Sequence, residues 1–325
     1  MSAPERYAVR MKEYILKRIV LLVVLTVLLF ARTYSDAFAK SKDIDSKQIE
    51  SVIAAIKPTI VRVRVTMASY EEGREVKIEG SGSGVIISED GYVVTNHHVA
   101  GRAKHLLCNL SNKEEIVADL VGTDALNDIA VIKLRGKPGR KFPYAKWGDS
   151  SKLNVGDRVM ALGSPLSLSQ SVTLGIVSNT EMILPEFLDG LLTLDGENTG
   201  SNVRWIGHDA AIFGGNSGGP LMNLDGEVVG INEVSLGSLG GAIPSSQARQ
   251  VAEELIRHGK VTRSWIGAVT QPLLKNTGNE QGVLVSGIMP GSPADKAGLK
   301  SGDILIRLAG KDVFVQPDCF RSTCW

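Results

Sequence analysis

Cysteine is scarce in this chain: Cys108, Cys319 and Cys324 are its three thiols. They are too few and too scattered for a disulfide framework, and none has the CxxC spacing of a zinc site. Cys108 reads as a small buried hydrophobe. An excess of one charge is also missing. The 36 basic and 35 acidic side chains leave a net charge of +1, so nothing points to a nucleic-acid or strongly acidic partner. There is no HExxH and no GxxxxGK[ST], and nothing calls for a metal, a nucleotide or another cofactor. The apolar stretch Ile19–Ala31 is thirteen residues long, short of the ~20 that span a bilayer.

What is present begins with that stretch. Arg10, Lys12, Lys17 and Arg18 precede it, and Ala37-Phe38-Ala39 follows it with small residues two apart. Residues 1–39 therefore read as a signal peptide, or as an N-terminal anchor if residues 19–31 are retained at the membrane. Either reading exports the remainder, to the periplasm or to the periplasmic side of the inner membrane. Loss of 1–39 removes six basic and three acidic side chains and leaves −2. A length of 325 residues with 43% hydrophobic composition allows two or three domains with sizeable cores.

The chemistry gathers at Phe213-Gly214-Gly215-Asn216-Ser217-Gly218-Gly219-Pro220. A nucleophilic serine needs a tight turn that projects its hydroxyl and converges neighbouring N–H groups on one point. Glycines permit both. Upstream, Gly91-Tyr92-Val93-Val94-Thr95-Asn96-His97-His98-Val99 ends an apolar strand on two histidines, and Asn127-Asp128-Ile129-Ala130 places an aspartate before a β-branched run. The order His…Asp…Ser is that of the chymotrypsin triad, and differs from the subtilisin and α/β-hydrolase orders.

Thr95-Asn96-His97-His98-Val99, Asn127-Asp128-Ile129-Ala130 and Gly215-Asn216-Ser217-Gly218-Gly219-Pro220 resemble the three triad motifs of the HtrA (Deg) serine proteases. Gly82-Ser83-Gly84-Val85, Asn154-Val155-Gly156-Asp157, Ala161-Leu162-Gly163-Ser164-Pro165 and Asp209-Ala210-Ala211-Ile212 extend the resemblance. It implies the catalytic set His98, Asp128 and Ser217, with His98 in the motif's histidine place and His97 in its variable place, a polar neighbour. The oxyanion hole is expected from Gly215, Asn216 and Ser217, with the Gly215 and Ser217 N–H groups as donors and Asn216 shaping the turn. The substrate pocket is expected from Ile212, Phe213, Val234, Ser235 and Leu236. Ala211 stands where a pocket for basic side chains would want an aspartate, so an apolar pocket is predicted. Asp124, Asp149 and Asp157 read as turn formers. His105, His208 and His258 read as surface or loop histidines.

Ser46–Ile56 has helical spacing, and Pro58 stops it. Short strands then recur: Thr59–Val65, Gly84–Ile87, Tyr92–Thr95, His105–Leu110, Glu115–Val121, Ile129–Leu134, Val159–Leu162 and Ser171–Val177. Such spacing predicts antiparallel barrels. The fold expected is mostly β: a chymotrypsin-like double antiparallel β-barrel followed by a partial PDZ domain. The protease domain covers 46–258, with barrels at about 46–148 and 153–245 and a linker helix at 247–258. That helix is expected to be capped by the Ser245-Ser246 region and ended by Gly259. Trp265, Ile266, Gly267 and Ala268 look like a PDZ peptide-binding loop. The PDZ pattern covers 262–325 and fades after about 312, where the groove helix and last strand are not found.

The function implied is a serine endopeptidase of the cell envelope that cleaves unfolded or misfolded proteins in protein quality control. Its partners are those substrates and two further copies in a homotrimer, with no nucleic acid. The alternative is a chaperone or peptide-binding protein that uses the same cleft with little proteolysis.

Overall fold

The computed structural model describes residues 46–71, 73–164, 170–183, 193–194, 197–200, 203–263, 265–272, 282–308 and 310–313, together with residues 18, 24 and 26. The chain divides into two units, Met1–Val52 and Ile53–Trp325. Residues 1–39, expected as a signal peptide or anchor, lie outside the described residues apart from 18, 24 and 26, as do Cys319 and Cys324. Residues 46–56 are helical, as their spacing predicts, and a single 3₁₀ turn containing Pro58 follows.

Six strands close the first barrel: β1 (Ile60–Glu71), β2 (Arg74–Ile86), β3 (Tyr92–Thr95), β4 (His105–Asn109), β5 (Glu115–Asp124) and β6 (Ile129–Leu134). Their ring order is β1-β2-β3-β6-β5-β4. The period-2 pattern of each strand decides which side chains line the barrel's inside. Val61, Val63 and Val65 point inward and are buried, while Arg62 and Arg64 between them face outward. Each buried valine contributes about 1.5–3 kcal/mol. Cys108 lies in the same core, fully buried, and burial pushes its thiol up to about 12. Residues 70–71 and 74–79 are strand. β1 and β2 continue to Glu71 and Arg74, which face each other across the hairpin end.

The second barrel uses β8 (Arg158–Gly163), β9 (Ser171–Met182), β12 (Trp205–His208), β13 (Pro220–Met222), β14 (Glu227–Leu236) and β15 (Leu239–Pro244). β13 pairs with both β8 and β14 and so closes the ring. Between the barrels, β7 (Lys146–Trp147) adds to β14 in parallel. A small hairpin, β10 (Thr193–Leu194) with β11 (Glu197–Asn198), follows β9.

The linker helix, Ser245–His258, starts two residues earlier than expected. Its N-cap is Pro244, with no side-chain cap. Ser245 Oγ instead donates to the Gly148 carbonyl at 2.8 Å, and Ser150 Oγ accepts from Ser246 N at 3.2 Å. The serines therefore fasten the helix to the inter-barrel connection. Gly259 ends it in the left-handed region, φ 71°, with its N–H on the Leu255 carbonyl, as a C-cap glycine does.

After the helix come β16 (Ala268–Pro272), β17 (Val283–Ile288) and β18 (Ile304–Leu305) in one sheet, and a hairpin of β19 (Arg307–Leu308) with β20 (Lys311–Asp312). A short helix, Pro293–Lys296, is capped by Ser292 Oγ. Val283 and Val313 form its small buried core. Residues 314–325, where the PDZ pattern fades, lie outside the described residues.

Candidate active site

The three motifs meet between the barrels. His98 sits in the one-turn helix His97–Ala100 that follows β3, and Asp128 in the turn between β5 and β6. His98 Nδ1 lies 2.6 Å from Asp128 Oδ2, and His98 N donates to Asp128 Oδ1 at 2.9 Å. An ionised carboxylate only accepts, so Nδ1 carries the proton and Nε2 is the free base. Asp128 is fully buried and stands at φ 48°, a backbone region few side chains tolerate. Its carbonyl holds it there by accepting from His97 N at 3.1 Å and Asn96 Nδ2 at 2.9 Å. The His98 side chain keeps 32% of its exposure. Burial pulls its pKa down, but the Asp128 charge and hydrogen bond outweigh this and leave it above the ordinary 6.5.

Ser217 belongs to the turn before β13. Ser217 Oγ donates to the Glu233 carbonyl at 3.4 Å. Among the described residues it makes no hydrogen bond to His98. Asn216 N donates to the Phe213 carbonyl at 2.9 Å. Its N–H therefore closes the turn, the shaping part expected of Asn216. The N–H groups of Gly215 and Ser217 take no acceptor among the described residues, and Gly215 adopts φ 103°. Gly218 adopts φ 83°, and a Cβ there would lie 2.3 Å from the Ser83 carbonyl oxygen and from Thr95 Oγ1. The first barrel thus presses directly against the serine turn.

Ser83 on β2 is the fastener. Its N–H donates to the Ser217 carbonyl at 2.8 Å, and its Oγ donates to the Gly215 carbonyl at 2.6 Å. Ser83 Oγ also accepts from Ser164 N, and the Ser83 carbonyl accepts from Thr95 Oγ1. One buried serine therefore joins the histidine strand, the serine turn and β8. Sequence reasoning gave it no role.

The pocket residues form two adjoining segments. Ser235 Oγ donates to the Ile212 carbonyl at 3.3 Å. Ile212 packs on the second-barrel core, whereas the Phe213 side chain is 56% exposed. Of the remaining histidines, His97 is buried with Nδ1 2.6 Å from Thr123 Oγ1, a polar neighbour as expected. His105 and His258 are exposed. His208, expected at the surface, is fully buried, because β12 runs between β9 and β15 and Gly240 leaves room for the ring. Burial lowers its pKa to about 4.

Asp124 also departs from expectation. It is buried, forms a bidentate ion pair with Arg263 beyond the linker helix, and accepts from Asn127 Nδ2 at 2.7 Å. Gln247 Nε2 in turn donates to Asn127 Oδ1. Asp149 and Asp157 cap local turns as predicted. In the last domain Gly267 adopts φ 77°, its carbonyl accepts from Met289 N, and the Ile266 carbonyl accepts from Ala294 N, both at 2.8 Å. Among the described residues no three His, Cys, Asp or Glu side chains group as a metal site.

Residues 82–231 match the trypsin-like peptidase domain family and residues 284–318 the PDZ domain family. A solved serine endoprotease from Yersinia pestis is 30% identical, with a TM-score of 0.63, and the match covers 85% of this chain and 87% of that one. The HtrA-type protease AlgW with decapeptide is 27% identical, with a TM-score of 0.68, over 84% of this chain and 89% of that one. The chain belongs to the HtrA family. Among curated proteins, this HtrA-family chain is 41% identical over 258 residues to a probable periplasmic serine endoprotease DegP-like of Ectopseudomonas mendocina (strain ymp), covering 76% of this chain and 51% of that protein. A protein of the same description from Marinomonas sp. (strain MWYL1) is 43% identical over 244 residues, 71% of this chain and 49% of the other. The chain thus spans about half the length of the curated relatives it matches.

Proposed function

We propose that this HtrA-family protein is a serine endopeptidase that cleaves unfolded or misfolded proteins in the periplasm. The observation that carries the reading is the His98–Asp128 pair at 2.6 Å beside a serine turn with two N–H donors that take no acceptor among the described residues. In the reaction, rotation about the Ser217 side chain exchanges the weak contact with the Glu233 carbonyl for His98 Nε2. His98 then takes the hydroxyl proton as Oγ attacks the scissile carbonyl, and Asp128 stabilises the imidazolium. The tetrahedral oxyanion rests on the Gly215 and Ser217 N–H groups, each donor contributing about 3–4 kcal/mol to the barrier reduction. His98 returns the proton to the leaving amine, and water repeats the sequence on the acyl-enzyme.

Ile212, Phe213, Val234, Ser235 and Leu236 are proposed to receive an aliphatic side chain, the kind that unfolded chains expose. Residues 265–268 are proposed to receive a peptide C-terminus on their backbone N–H groups. The periplasmic address follows that of the curated relatives, which are described as periplasmic, and a homotrimer is the proposed assembly, to be read by light scattering. Among the described residues no helix is long and apolar enough to cross a membrane. Digestion of β-casein by the wild type and by Ser217→Ala tests the reading. Loss of cleavage in the variant supports it. Equal, slow clearance by both would replace it with a binding or chaperone role.

A further inference from the structure

We infer that Glu233 is a positioning residue of the triad: its carboxyl group keeps its proton and donates it in a hydrogen bond to the Asp128 carboxylate. The inference rests on the endopeptidase reading above only for its kinetic consequence.

Glu233 lies inside β14, immediately before the pocket segment, and is 7% exposed. Its backbone is stitched to the serine turn. Gly218 N donates to the Asn232 carbonyl at 2.9 Å, Asn232 N donates to the Gly219 carbonyl at 2.8 Å, and the Glu233 carbonyl accepts from Ser217 Oγ. The side chain runs the other way. Trp205 Nε1, from β12, donates to Glu233 Oε2. Glu233 Oε1 occupies the space left by Gly200, where a Cβ would come within 2.4 Å of it, and it has no donor among the described residues. The Glu233 carboxyl also lies within hydrogen-bonding reach of the Asp128 carboxyl.

Two carboxyl groups in contact and out of water cannot both be ionised, and one proton must lie between them. The donors decide where it resides. Asp128 receives the His98 N–H and the His98 Nδ1–H, and the imidazolium formed in catalysis adds a full positive charge. Glu233 receives one neutral indole N–H among the described residues. The proton therefore belongs to Glu233. Burial, then the Asp128 charge, hold the Glu233 carboxyl well above the usual carboxylate range. The consequence is mechanical. A carboxylate held by His98 on one side and by an O–H on the other is fixed in orientation, and it fixes the imidazole in turn. The acid also blocks water from Asp128 without adding a charge that would hold His98 protonated.

The test compares wild type, Glu233→Gln and Glu233→Ala. Glutamine keeps an acceptor for Trp205 and an N–H donor for Asp128; alanine keeps neither. Infrared difference spectra at pH 7 should show a carboxylic-acid carbonyl band in the wild type that is lost in Glu233→Gln. With a fluorogenic peptide, Glu233→Gln should hold kcat within about threefold of wild type, whereas Glu233→Ala should lose about tenfold to hundredfold in kcat with KM little changed. Absence of the infrared band would overturn the inference, as would Glu233→Gln falling as far as alanine. The infrared arm needs no turnover, so a wild type that shows the band but fails to cleave would count against the endopeptidase reading and leave the carboxyl pair standing.

Discussion

Ser83→Ala should damage both fold and catalysis through one oxygen atom. Ser83 Oγ donates to the Gly215 carbonyl at 2.6 Å and accepts from Ser164 N at 2.8 Å, and the residue is fully buried. Alanine leaves a buried carbonyl and a buried N–H without their partner. Each orphaned group costs about 1–3 kcal/mol, so a total of about 2–4 kcal/mol is expected once some relaxation is allowed. For a domain of this size that corresponds to a fall in Tm of roughly 5–15 °C. The Gly215 carbonyl is one peptide from the proposed oxyanion donors, so its release should loosen them. A fall in kcat of about tenfold to hundredfold with KM nearly unchanged is expected, because the lost order matters in the transition state. Differential scanning fluorimetry and peptide hydrolysis on the same preparation read both effects. The companion Thr95→Val, which removes the donor to the Ser83 carbonyl, should cost stability but less kcat. A Ser83→Ala protein with wild-type Tm and wild-type kcat would refute the claim that this serine holds the nucleophile turn.

Further outcomes follow from the same geometry. The acid limb of kcat/KM should have its midpoint above 6.5, since His98 must be neutral and its pKa is raised; activity is lost as pH falls through that value, and Asp128→Asn should lower kcat by about 10⁴. Arg263→Ala leaves Asp124 buried without its cation and should cost about 3–5 kcal/mol in denaturant unfolding, with Arg263→Ala/Asp124→Asn recovering part of it. Gly240→Ala would bring a Cβ to 2.5 Å from the His208 ring, and should lower Tm by several degrees, on the order of 1–3 kcal/mol for overpacking. Native Cys108 should resist alkylation at pH 8 and react on unfolding, since its thiol sits up at about 12 and the thiolate is the reactive form.

The parts legible in the sequence are those written in local pattern. The alternation in Thr59–Val65 and the apolar run Ile129–Leu134 yield strands because inward and outward positions follow the pleat. The candidate triad stands out in the sequence because each member sits beside its own turn or strand signal, and three signals in order constrain one another. What escaped depends on distant contacts. Ser83 meets Gly215 across 132 positions and Asp124 meets Arg263 across 139, and no local pattern encodes such pairs. His208 stands between glycine and aspartate, a polar context that reads as loop; its burial comes from strands on either side. Glu233 did leave a trace, a lone charged residue within the mostly apolar run Val228–Val234. A charge there implies a partner, and only the fold shows that the partner is another carboxyl group.

The most direct measurement of the central claim is peptide mapping after treatment with a fluorophosphonate at neutral pH, for the wild type and for His98→Ala. The account predicts one adduct, on Ser217, and its near-complete loss in the histidine variant. Labelling of Ser217 at equal rates in both proteins, or a wild type that digests casein while Ser217 stays unmodified, would contradict it.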